Sequence, residues 1–369
     1  MKRVPILAWI ALLAILIALI VTLVATDWLW SLDAVRGLQA LGGGLKTPML
    51  FFTFLGDEQF YLIAIPLVYW CLHKELGVDL GVLLVLSSFV NSIIKSFVKH
   101  NRPFWEDPKL KLSDATSFSL PSGHAQTSAA LFGRLASFVT GSGLKVLWGV
   151  FLGWVIVLVA LSRVYLGCHY PGDVLWGVAV GLALASLYGW LKPKLLPGLR
   201  RLPLVLHVLF GFVAAAVILG TVSGLLVIPF GTGQRFPDLF LDGWGATLED
   251  AATIAGLAWG LWIGLAVESR YVRFTVAGGW WKRALRYLIG VAVLAGIWLG
   301  LRAVFPREPL ALGLGLRMVR YGLAMLWAIL VWPWLFVKLG LGQAGPTDAG
   351  PAPGRPLKTP GSAEWVSQA

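Results

Sequence analysis

Apolar runs long enough to cross a membrane alternate with short polar breaks along almost the whole chain. A spanning helix needs roughly 20 mostly apolar residues, and ten segments approach that length. They run Pro5 to Ala25, Pro48 to Leu72, Gly77 to Val98, Gln126 to Thr140 and Lys145 to Leu161. The others run Val174 to Leu191, Leu202 to Phe230, Ala251 to Val267, Ala284 to Val304 and Tyr321 to Leu339. The pattern predicts an all-α, polytopic transmembrane helical bundle. Leu32 to Lys46, with its Gly42-Gly43-Gly44 run, reads as an interfacial segment, and residues 340–369 read as a disordered tail rich in Pro, Gly, Ser and Ala. The basic stretch Pro193 to Pro203 reads as the loop dividing residues 1–196 from residues 197–339.

Loop charges orient the bundle. With Lys2 and Arg3 in the cytoplasm, the inside loops collect His73-Lys74, Lys145, Lys192 to Arg201 and Arg270 to Arg286, while Asp238 to Asp250 falls outside. This follows the positive-inside tendency and places both termini in the cytoplasm. The first run lacks a clear cleavage site before Asp27 and reads as a retained span. The outer loop Lys95 to Lys111 breaks the charge pattern, and basic residues kept against topology point to function. Arg307, Arg317 and Arg320 also fall outside, without an explanation beyond a solvated loop.

Composition narrows the classes. Apolar residues make up 58% of the chain and charged residues 13%, with mean hydropathy +0.79. The net charge of +12 is accounted for by cytoplasmic loops, and no nucleic-acid-binding motif is present, so no nucleic acid is expected as a partner. Cys71 and Cys168 are too few for a disulfide framework or a zinc cage, and Cys168 reads as a small apolar filler.

Three clusters carry the chemistry: Lys95 to Arg102-Pro103, Pro121-Ser122-Gly123-His124, and Ser162-Arg163 to His169 and Asp173. All reach the same predicted membrane face. Phosphate transfer needs cations on the non-bridging oxygens, an in-line nucleophile and an acid for the leaving oxygen. Arg102 and Arg163 offer planar forks and Lys95 a compact charge. Ser122 can cap the following helix, Gly123 permits close approach, and first-turn amides make an anion site. Pro171 suits the first turn of the next helix, and Asp173 can fold back on His169, fixing one tautomer and freeing the other nitrogen to attack phosphorus. The residues alone leave open which histidine attacks; the partnership with Asp173 favours His169.

These clusters resemble the type 2 phosphatidic acid phosphatase superfamily, whose signature is Lys-x6-Arg-Pro, Pro-Ser-Gly-His and Ser-Arg-x5-His-x3-Asp; every fixed position is filled. The resemblance covers roughly Leu50 to Leu191 and implies a six-span phosphatase core, followed here by about four additional C-terminal spans. It implies His169 as nucleophile, Asp173 as its partner and His124 as general acid. Lys95, Arg102, Ser122, Gly123 and Arg163 would hold the phosphate, with no metal and no cofactor. The expected activity is extracytoplasmic, metal-independent removal of phosphate from a lipid phosphate or diphosphate at the cell membrane, the lipid bilayer being the other partner. A lipid phosphotransferase using the same pocket, or a non-enzymatic lipid-handling protein, would have the same hydrophobic pattern. Glu268 and Arg302, near span ends, are expected to snorkel. Arg134, inside a span, either pairs with an acid, faces a polar cavity or snorkels.

Overall fold

A computed structural model of the chain describes residues 27–139 and 143–345. The predicted span at Pro5 to Ala25 lies outside them. Helix α1 (Leu32–Gln39) buries Ala34 and Val35. Helices α2 (Lys46–Phe54) and α3 (Glu58–Leu67, continued by a π turn to Leu72) form a pair bent by 49°. The core continues with α4 (Lys74–Val98), α5 (Gly123–Val139), α6 (Gly143–Tyr165) and α7 (Pro171–Arg201). Then come α8 (Leu204–Leu226), α9 (Pro237–Val267), α10 (Trp280–Val304), α11 (Leu310–Leu326) and α12 (Trp332–Lys338), the last two joined by a π turn.

The protein is therefore a polytopic helical bundle. Among the described residues, seven helices are long and apolar enough to cross a membrane, or up to eight if the bent pair is one span. The nine predicted spans within those residues all fall on helices. The one expected at Gln126 to Thr140 falls on α5, which is described as far as Val139.

Three boundaries differ from expectation. The proposed dividing loop is helical: α7 continues through Pro193 and Pro197 to Arg201, where exposed Lys194 and Arg200 mark a hydrated end. Water there can take the carbonyls that prolines leave unpaired. The acidic stretch before Ala251 is also helical, because α9 starts at Pro237 with Asp238 in its first turn, both favourable at an N-terminus. The expected disordered tail begins ordered. Gln343 and Ala344 (β2) pair antiparallel with Phe274 and Thr275 (β1), in register Phe274 with Ala344. Residues 346–369 lie outside the described residues.

Small residues set the helix contacts, as packing within lipid requires. Gly177 and Gly181 of α7 lie against α5. A Cβ at Gly181 would sit 2.1 Å from Gln126 O and one at Gly177 2.7 Å from Ser122 O. In the C-terminal half, Gly260 of α9 meets Gly322 of α11, 2.6 Å from its carbonyl on the same measure. Outward-facing Trp148, Phe151 and Trp154 of α6 are exposed, as expected against lipid.

Several charged groups inside the bundle find polar partners. Asp79, 2% exposed, accepts bonds from Arg134 Nη2 (2.6 Å), Lys192 Nζ (2.5 Å) and the Tyr188 hydroxyl (2.7 Å). Of the three readings of Arg134, the pairing with an acid is the one observed. Glu268 does not snorkel. It is 1% exposed and takes Lys74 Nζ at 2.6 Å and the Phe274 amide at 3.0 Å. The cost of burying its charge is offset by a cation that also lies over the Phe274 ring. Arg286 is fully buried without a carboxylate. It donates to the carbonyls of Trp70 (2.6 Å), Ala277 (3.0 Å) and Leu341 (2.6 Å).

Candidate active site

The first cluster is shaped by the end of α4. Lys99 takes a left-handed conformation there (φ 46°) and donates its Nζ to Leu225 O of α8 and to Ile228 O just beyond it, turning the chain across the bundle end. One turn back, buried Lys95 donates to Ser117 Oγ at 2.7 Å. Arg102, 2% exposed, donates from Nε to Ser117 O (2.6 Å), from Nη2 to Phe118 O (3.1 Å) and from Nη1 to Cys168 O (2.9 Å). Nη1 also lies 3.3 Å from His169 Nε2.

The second cluster opens α5. Asn91 of α4 donates to Pro121 O (3.1 Å) and Gln126 Oε1 (3.0 Å), while Gln126 Nε2 donates to Ser87 O (2.8 Å). This clamp fixes the turn that carries Ser122, Gly123 and His124. The Ser122 amide donates to Asp173 O at 3.0 Å, tying the turn to the third cluster. Ser122 does not cap with its side chain as expected; its fully buried hydroxyl has no hydrogen-bond partner. His124 is half-buried behind Gly56, where a Cβ would lie 3.0 Å from that of His124. The cations acting on it are Arg163, Lys95 and Arg102.

The third cluster lies at the α6–α7 junction. Arg163, 3% exposed, donates Nη1 to Thr53 Oγ1 at 2.6 Å, and its Nε is unpartnered. Asp173 closes the N-terminus of α7, its Oδ2 accepting the Tyr170 amide at 2.8 Å. The same oxygen is 3.4 Å from His169 Nδ1. Ser119 sits between them, 3.2 Å from Nδ1 through its Oγ and donating to Asp173 Oδ2.

This arrangement fixes the tautomer. Arginine can only donate, so Nε2 of His169 accepts from Arg102 and carries the lone pair. Nδ1 then holds the proton and donates to Ser119 Oγ, whose own proton goes to Asp173. Burial, and secondarily the Arg102 charge, hold the imidazole well below the usual histidine range against the pull of Asp173. In this tautomer the unprotonated Nε2 lies on the Arg102 side of the ring, away from Asp173.

All eight residues read from the sequence as a site gather here: Lys95, Arg102, Ser122, Gly123, His124, Arg163, His169 and Asp173. Cys168 is buried and free. Five contributors were not anticipated. Ser119 bridges the His–Asp pair, and His100 places Nδ1 3.6 Å from Asp173 Oδ1. Ser117 receives Lys95, Thr53 receives Arg163, and Asp250 of α9 hydrogen-bonds Ser117 within the field of Lys95. His100 lies inside the first cluster and Ser119 two residues before the second, which is a positional signal. Thr53 and Asp250 carry none.

A family model described as the PAP2 superfamily matches residues 76–196. A second, described as the PAP2 superfamily phosphatase, transmembrane extension, matches residues 252–345. Phosphatidylglycerophosphatase B of Bacillus subtilis (strain 168) is 32% identical over 152 residues, covering 39% of this chain and 73% of that protein. Glucose-6-phosphatase 3 of Mus musculus is 30% identical over 199 residues, covering 48% of this chain. The chain spans 55% of the length of that mouse protein. Among solved structures, the crystal structure of the first transmembrane PAP2 type phosphatidylglycerolphosphate phosphatase from Bacillus subtilis aligns with TM-score 0.41 and 25% identity. That alignment covers 50% of this chain and 96% of the other.

Proposed function

The chain belongs to the PAP2 superfamily, and from that premise we propose that it is a membrane phosphatase that removes phosphate from a lipid phosphate at the extracytoplasmic face. The observation that carries this reading is the bonded chain from Arg102 through His169 and Ser119 to Asp173, which leaves Nε2 as the nucleophile. In the first step Nε2 forms a bond to phosphorus while the bond to the leaving oxygen breaks; His124 supplies the proton that oxygen takes up. In the second, His124 takes a proton from water, water oxygen bonds to phosphorus, and the phosphorus–nitrogen bond breaks to release inorganic phosphate. Lys95, Arg102, Arg163, the Ser122 hydroxyl and the first-turn amides of α5 at Gly123 stabilise the charge on the non-bridging oxygens. These groups supply the positive charge of the site, so the reaction is proposed to need no metal.

Residues 1–196 carry every one of these groups, and residues 197–339 brace them from outside through Lys99 and Asp250. The proposed orientation has both termini in the cytoplasm of a cell-membrane protein, on the strength of loop charges. Lipid phosphates are favoured as substrates because the site lies at the end of a lipid-facing bundle and a relative matched over most of its length is a phosphatidylglycerophosphatase. A second reading, a water-soluble sugar phosphate, is favoured by the longer match to glucose-6-phosphatase 3.

The test is phosphate release by purified protein in detergent from a panel of lipid and sugar phosphates, with EDTA, beside His169→Ala. Release that survives EDTA and vanishes in the variant supports the reading, and the panel decides the substrate class. A phosphorylated acceptor in place of free phosphate would make the protein a transferase, and undiminished release by His169→Ala would remove that residue from the chemistry.

A further inference from the structure

A second polar cavity, of about 340 Å³, lies in the C-terminal half. Its walls come from the start of α3, the outer turns of α9, and the junction of α10 with α11. Four arginines line it: Arg302, Arg307, Arg317 and Arg320. It opens at the bundle end that holds the catalytic cluster, since Asp57 in its wall directly follows Gly56, which packs against His124. Loop charges assign this end to the outside, where arginines are disfavoured as topology signals.

The carboxylates in the cavity are engaged. Asp57 caps α3 by accepting the Glu58 amide at 2.9 Å. Glu249 takes Arg317 Nη1 at 2.6 Å. Glu58 lines the cavity beside Tyr321 and Arg317. The other three arginines have no carboxylate within ion-pair distance among the described residues. Arg302 and Arg307 are exposed at the rim. Arg320 is 8% exposed at the floor. Its Nε has no hydrogen-bond partner, and its guanidinium merely lies 5.0 Å from the centroid of the Tyr321 ring. A buried cation without an anion is costly, and a guanidinium fork matches the oxygens of a phosphate group.

We propose that this cavity is a second anion site, in which Arg320, Arg307 and Arg302 bind a phosphate group apart from the one that is hydrolysed. A free phosphate and the phosphodiester of an anionic lipid offer the same chemistry. The site is distinct from the catalytic pocket, and its binding does not depend on any hydrolytic step.

The test uses the full chain in phosphatidylcholine nanodiscs, in an Arg102→Gln background that weakens the catalytic pocket. Inorganic phosphate is titrated calorimetrically in one arm. Retention of phosphatidylglycerol, a diester and so not a monoester substrate, is read by native mass spectrometry in the other. We expect binding of at least one probe, weakened about tenfold or more by Arg320→Gln and by Arg307→Gln. A loss confined to the phosphate arm assigns the site to free anions, and one confined to the lipid arm assigns it to a headgroup. Arg307 is exposed at the rim, so its variant decides the matter should Arg320→Gln not fold. No binding of either probe, or affinities unchanged by substitution, overturns the proposal.

Discussion

Replacing Gly181 by alanine tests whether the helix contact beneath the site sets its geometry. The new Cβ would lie 2.1 Å from Gln126 O, 2.9 Å from Ala129 Cβ and 3.0 Å from Ala130 N. Two of these are backbone atoms of α5 and cannot rotate away. Relieving the overlap requires α5 and α7 to separate by about 1 Å, because packed interiors hold no spare room. The Ser122 amide, bonded to Asp173 O across this contact, would be pulled from the His169 end. A displacement of that size in a catalytic constellation costs about 10²-fold in rate, and overpacking costs about 1–3 kcal/mol of stability. The assay is kcat for phosphate release in detergent, read beside thermal unfolding. Gly153→Ala on α6 is the control, as its Cβ would meet nothing within 4 Å. Gly181→Ala with wild-type kcat would refute the argument that this glycine contact positions the anion-binding turn.

Ser119→Ala removes the hydroxyl that relays the His169 proton to Asp173; kcat should fall about tenfold, the worth of one charge-assisted hydrogen bond, and an unchanged kcat would deny Ser119 a positioning role. Asp79→Asn strips the charge shared by Arg134 and Lys192. Both cations keep about a quarter of their side chains exposed, so rehydration should limit the loss to about 1–3 kcal/mol in denaturant melts. Its kcat should stay at the wild-type level, because Asp79 and Lys95 are about 24 Å apart along α4. Dialysis against excess EDTA should leave phosphate release unchanged, and restoration of lost activity by a divalent cation would contradict the proposed metal-free charge stabilisation.

The helices and the grouping of the eight candidate residues were legible because both rest on local patterns. Unbroken apolar runs fix spans, and the three clusters retain fixed internal spacing around His169 and Asp173. What escaped is what depends on distance along the chain. Arg134 was legible as an expensive cation in a span, but its partner Asp79 lies on another helix and had no mark of its own. Glu268 resembled a snorkelling residue until Lys74, from the other half of the chain, was placed against it. Ser119 entered the His–Asp pair only because the loop after Arg102 folds back beneath the imidazole. The helical continuations of α7 and α9 were missed for another reason. Prolines and acidic residues read as breaks, yet near hydrated helix ends they cost little.

The burial of Arg286 has a consequence for synthesis. Its two terminal nitrogens donate to carbonyls at positions 70, 277 and 341, while its Nε has no partner among the described residues. The first of these leaves the ribosome long before the last. At roughly 5–20 residues per second, tens of seconds separate them. Until Leu341 is made, Arg286 lacks one of these three acceptors. Arg286 thus ties Leu341 to Trp70, and its set of contacts is complete only once Leu341 has been made.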